Sequence, residues 1–62
     1  MQINLAAILE DRGLTQGDLA AKAGTARTHI NALVNGKKLP TIETALRIAR
    51  ILEVPVEDIW AA

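Results

Sequence analysis

The sequence predicts an all-α fold, a compact bundle of five short helices. Three observations lead there. The apolar half of the 62 residues consists mainly of eight Leu, seven Ile, three Val and eleven Ala, with no Phe or Tyr and Trp60 as the one aromatic residue. Apolar positions recur at helical spacing between turn residues. No run alternates apolar and polar residues as a half-buried strand would. A chain of this length can bury one small core, so residues 1–62 read as one domain.

Leu5, Ile8 and Leu9 make the stripe of a first helix, about Ile3 to Arg12, and Gly13 supplies the left-handed residue on which a helix ends. Thr15 reads as the N-cap of a second, short helix, with Asp18 placed three residues on for a capping box. Leu19, Ala20 and Ala23 form its buried face before Gly24. A third stripe, Ile30, Leu33 and Val34, follows after a residue or two and stops at Asn35-Gly36. Lys37 to Pro40 is a loop, because Pro40 cannot sit inside a helix and biases Leu39 toward extended backbone.

Thr41 caps a fourth helix, with Glu43 suited to its positive end and Arg50 to its negative end. Ile42, Ala45, Leu46, Ala49 and Leu52 form its buried side, widened by Ile48 and Ile51. Val54-Pro55 then breaks the chain. Val56, Ile59 and Trp60 mark a last turn or two whose apolar side chains either close the core or meet a partner.

Composition narrows the chemistry. The chain has no Cys, no Ser and a single His, His29, so disulfides, thiolate sites and imidazole clusters for zinc are out of reach, and hydroxyl nucleophiles are limited to Thr. Neither enzymatic activity nor a metal or cofactor is expected. The lack of a secretory or membrane-spanning run leads to the expectation of a soluble, cytoplasmic protein.

Seven basic and seven acidic side chains cancel, which on its face argues against a polyanionic partner. The average conceals a segregation. From Lys22 to Arg50 there are Lys22, Arg27, Lys37, Lys38, Arg47 and Arg50 against Glu43 alone, a net +5, and the two ends together carry −5. If the fold keeps these regions apart, the molecule has a basic middle able to orient on a polyanion.

The stretch Gln16 to Asn35, QGDLAAKAGTARTHINALVN, has Ala20 where two helices approach, Gly24 at the turn, and Ile30 and Leu33 anchoring the second helix. This is helix-turn-helix spacing. With LTQGDLA at its start, NGKKLPTIETALRIARIL after it and VPVEDIW at the end, nearly the whole chain resembles the lambda-repressor-like DNA-binding domains of Cro and repressor type, the XRE family. The resemblance implies a five-helix domain that docks its third helix, about residues 26–34, in the major groove of double-stranded DNA, usually as a homodimer on a two-fold site.

With Ile30, Leu33 and Val34 turned inward, Arg27, Thr28, Asn31 and Ala32 take the outer face of that helix. Arg27 suits guanine O6 and N7, Asn31 suits adenine, and Thr28 or Ala32 suits a thymine methyl. Gln16, Thr25, Lys37 and Lys38 fall in regions that meet phosphates in the family. His29 lies on the flank of the helix with no second imidazole to join it.

The chain departs from the family in three ways. Many members pair a Glu before the loop Asn-Gly with an Arg in the first helix, and the matching positions here are Val34 and Leu9. Replacing both partners of a buried ion pair is often neutral or stabilising by about 1–4 kcal/mol, so Leu9 and Val34 are expected to touch. Ala26 stands where Ser or Thr often caps the third helix, which leaves Thr25 to take part of that role. The zero net charge predicts weaker nonspecific DNA binding than a basic relative shows.

The function expected is sequence-specific DNA binding by a small phage- or bacterial-type transcriptional regulator, a repressor. The alternative is an antitoxin or docking module of a toxin–antitoxin pair on the same fold, with Ile59, Trp60 and the acidic Glu53, Glu57 and Asp58 facing a protein partner. Ile59 and Trp60 are in either case the candidates for a dimer or partner contact.

Overall fold

In the computed structural model, which describes residues 1–62, five helices fall where the apolar spacing puts them: α1 (Leu5–Asp11), α2 (Gln16–Ala23), α3 (Arg27–Val34), α4 (Ile42–Leu52) and α5 (Val56–Ile59). Leu5, Leu19, Ile30, Leu33, Ile48, Leu52 and Ile59 are fully buried and share one core with Leu9, Ala20 and Ala49. Leu9 belongs to this cluster and Val34 is half-buried against it. No helix is long and apolar enough to cross a membrane.

The all-α expectation needs a correction. Gln2–Ile3 (β1) and Trp60–Ala61 (β2) form a small antiparallel ladder, with Gln2 opposite Ala61 and Ile3 opposite Trp60. The first helix therefore begins at Leu5 rather than Ile3. Asn4 explains the shift, because its backbone N–H donates to the Ile59 carbonyl at 2.8 Å and its side-chain amide to the Asp58 carbonyl at 3.0 Å. The residue that precedes α1 is thus engaged by the opposite end of the chain and makes no side-chain cap. Strands of two residues are too short to display alternation in sequence.

A second correction concerns α4. Its buried residues are Ala45, Ile48, Ala49 and Leu52, while Ile42 is 80% and Leu46 47% exposed. The apolar arc of this helix is wider than the core it covers, and positions 42 and 46, one turn apart, lie on the uncovered part.

Local chemistry sets the angle between α2 and α3. Thr15 and Asp18 form the complete capping box, each side chain taking the other's backbone N–H at 3.0 Å. At the other end Gly24 adopts φ 69°, and the N–H groups of Gly24 and Thr25 return to the Ala21 and Ala20 carbonyls. This closure turns the chain within the three residues Gly24 to Ala26, with the left-handed conformation at the glycine, which it costs least. Thr25 does not extend its role to α3, whose N-cap, Ala26, has no side-chain hydrogen bond.

Arg47 locks the pair to α4. Its guanidinium donates to the Ala23 carbonyl at 3.3 Å and to Glu43 at 3.0 Å, one turn away on its own helix. Arg47 is therefore committed to structure.

Candidate nucleic-acid interface

The first turns of α2 and α3 meet in one open concavity lined by Gln16, Gly17, Arg27, Thr28 and Asn31, with no hydrophobic side chain. Two backbone features add donors there. The first N–H groups of a helix have no acceptor within it, and the capping box of α2 satisfies Asp18 but not Gln16 or Gly17. In α3 the residue before the helix is alanine, so Arg27 and Thr28 likewise present N–H groups that no cap takes. The macrodipoles place partial positive charge at the same ends.

Arg27, Thr28 and Asn31 are exposed and Ala32 is half-buried, which puts the outer face of α3 where the sequence reading places it. The Arg27 guanidinium makes no hydrogen bond or ion pair with the chain, and the only salt bridge is Arg47 to Glu43. A Cβ on Gly17 would stand 3.7 Å from Arg27 Cδ, an ordinary van der Waals contact, which places the arginine stem directly beside the first turn of α2.

Asn31 is less free than its position implies. Its amide Nδ2 donates to Gln16 Oε1 at 3.1 Å, and its Oδ1 accepts from Asn35 Nδ2 at 3.0 Å. One N–H and one acceptor lone pair remain, the minimum for a two-point contact with adenine. The same bond leaves the Gln16 Nε2 donors free. This link between α2 and α3 escapes sequence reading, because residues fifteen apart meet only once the interhelical angle is known.

Lys37 and Lys38 are exposed in the turn after α3, where Gly36 at φ 71° closes the helix. Thr25 is half-buried at the α2–α3 turn. Asp18 places one carboxylate at the α2 N-terminus, held by the Thr15 backbone N–H and hydroxyl, and these bonds lower its pKa below the ordinary 3.8. At the opposite end of the chain, Ile59 belongs to the core and Trp60 is half-buried against it, so these side chains close the core rather than stand out from it.

Comparison with known proteins points the same way. The helix-turn-helix family model matches residues 5–59. An uncharacterised HTH-type transcriptional regulator of Methanocaldococcus jannaschii is 45% identical over 47 residues, covering 76% of this chain and 71% of that protein. Another from Archaeoglobus fulgidus is 40% identical over 48 residues, with 77% and 69% covered. A third, from Sinorhizobium fredii, is 31% identical over 51 residues, with 82% and 66% covered.

Proposed function

Because the chain belongs to the helix-turn-helix family, in its Cro and repressor type, we propose that it is a sequence-specific double-stranded DNA-binding transcriptional regulator, acting as a repressor and binding as a homodimer. The observation that carries this reading is the concavity of Gln16, Gly17, Arg27, Thr28 and Asn31, where two helix N-termini and an unpaired guanidinium converge. In it α3 enters the major groove. Arg27 reads a guanine, and Thr28 and Ala32 meet thymine methyls. Asn31 orients Gln16 and reads with its remaining donor and acceptor. Gln16, Thr25, Lys37 and Lys38 hold phosphates and fix the register.

The alternative of an antitoxin or docking module depends on a partner surface at Ile59 and Trp60. The burial of Ile59 and the packing of Trp60 give that reading no specific support.

Selection from a pool of random duplexes at low salt, with Arg27→Ala run in parallel, tests the proposal. The wild-type protein is expected to enrich a two-fold-symmetric motif. The variant should lose or relax one position of each half-site, at a cost of about 1–3 kcal/mol. A folded wild-type protein that enriched no motif would overturn autonomous DNA recognition.

A further inference from the structure

Three side-chain amides stand in a row across the site. Asn35 Nδ2 donates to Asn31 Oδ1 at 3.0 Å, and Asn31 Nδ2 donates to Gln16 Oε1 at 3.1 Å. The row runs from the residue that ends α3, over the exposed Asn31 of that helix, to the first residue of α2. Both of its ends are open, because Gln16 Nε2 and Asn35 Oδ1 bond to nothing else in the chain. A primary amide has two N–H donors on its nitrogen and two lone pairs on its oxygen. The row therefore keeps both bonds if all three amides turn over together. The two directions differ only in what the ends and the middle present.

The middle decides which base fits. In the direction seen, Asn31 keeps a spare N–H on the side of Gln16 and a spare lone pair on the side of Asn35. Adenine matches this pair, its N7 accepting the N–H and its N6 amino group donating to the oxygen. Turned over, the same amide sets an N–H where N6 would lie and an oxygen against N7, so adenine is opposed at both atoms. A carbonyl then fits at the N6 point. Thymine O4 suits it better than guanine O6, because guanine brings its own N7 acceptor against the turned oxygen. An asparagine with no neighbours turns freely and makes no such choice.

We infer that Asn35 is a positioning residue that, with Gln16, fixes the direction of the Asn31 amide and so makes this point of the site select adenine over thymine. The inference deepens the DNA-binding reading and rests on it for the phosphate at Gln16. A phosphate only accepts, so Gln16 must offer it Nε2 and turn Oε1 toward Asn31. Asn31 then gives Nδ2 to Gln16 and Oδ1 to Asn35, which is the direction seen. A contact to the DNA backbone, which carries no sequence information by itself, thereby sets how one base is read.

Two substitutions of equal charge push the row in opposite directions, because a carboxylate only accepts. Gln16→Glu takes the Asn31 N–H and keeps the direction, while the donor to the phosphate is lost. Asn35→Asp draws Asn31 Nδ2 to the other end and turns the amide over. Selection from random duplexes first locates the position whose preference disappears in Asn31→Ala. Titrations then compare A·T with T·A at that position, with circular dichroism checking that each variant is folded. The wild type should favour A·T by about tenfold. Gln16→Glu should bind every duplex more weakly and still favour A·T, whereas Asn35→Asp should favour T·A. Asn35→Ala, which removes one anchor without adding charge, should shrink the wild-type preference without inverting it.

An Asn35→Asp that favours A·T as Gln16→Glu does, an Asn35→Ala with the full wild-type preference, or an Asn31→Ala that leaves every position of the motif unchanged would each overturn the inference and leave recognition through Arg27 standing. A wild type that binds no duplex would remove the inference together with the DNA-binding reading. Nuclear magnetic resonance of the free protein tests the row without DNA. The side-chain amide signals of Asn31 should move in Asn35→Ala and in Gln16→Ala, and signals that stay in place would remove the inference alone.

Discussion

Trp60 shows how a single residue can be half legible. Its position after Ile59 allowed either a lid on the core or an interface anchor, and the fold makes it a lid whose indole Nε1 is buried without a hydrogen-bond partner. An unmade bond of this kind costs about 1–3 kcal/mol, which offsets part of what the ring gains by packing. Trp60→Phe removes the stranded N–H along with some apolar area, so urea unfolding followed by circular dichroism is expected to change by less than about 1 kcal/mol. Trp60→Ala should cost about 2–3 kcal/mol, near the lower end for large aromatic truncations because the ring is only half-buried. Equal losses for the two variants would mean that the indole N–H has a partner after all. Asn31, whose bonds to Gln16 and Asn35 were not legible, and Ile42, which was expected to be buried and is exposed, share a physical reason. Their types suited a base contact and a buried stripe, but the crossing of α2 with α3 and the narrow footprint of α4 on the core decide what each touches.

Helix boundaries were legible wherever a cap has its own chemistry. Thr15 and Asp18 announced the start of α2, and Gly13, Gly24 and Gly36 the ends of α1, α2 and α3. The end of α4 was not legible in the same way, because the left-handed residue there is Glu53 at φ 59°, a side chain that carries no such signal. The α2 cap also makes stability depend on pH. The backbone N–H and hydroxyl of Thr15, with a smaller contribution from Lys22, favour the ionised Asp18 and lower its pKa below 3.8. The unfolded chain has no such bonds, so the folded state binds a proton here less readily. The cap's contribution is accordingly complete above the unfolded carboxylate's pKa and lost as pH falls through the lower folded value. Thermal unfolding of the wild type and Asp18→Asn should therefore differ at pH 5 to 7 and draw together as pH falls below 3.8. A constant gap down to pH 2 would show that the charge of Asp18 plays no part in the cap.

For the whole molecule, the helical core was readable from periodicity, but the pairing that joins its ends was not, since it rests on two residue pairs and on Asn4 reaching Asp58 and Ile59. That pairing bears on charge. It joins the two ends that flank the region from Lys22 to Arg50 with its net +5, while one acidic side chain, Asp18, stays in the first turn of α2. A chain of zero formal net charge has little long-range pull on a polyanion, yet salt dependence follows the phosphates neutralised locally rather than the total. Among the proposed phosphate contacts only Lys37 and Lys38 are cations, since Gln16 and Thr25 donate as neutral groups. At about 0.9 counterion per neutralised phosphate, the logarithm of affinity should fall against the logarithm of salt with a slope of about −2 for each chain, or about −4 for a dimer. Lys37→Ala should reduce that steepness by about 1 per chain and weaken every duplex alike, whereas Arg27→Ala should alter the preferred sequence. Titrations of one duplex at several salt concentrations decide the matter. A slope unchanged in Lys37→Ala would place that lysine away from the phosphates, and a wild-type slope near zero would remove the basic middle from the interface.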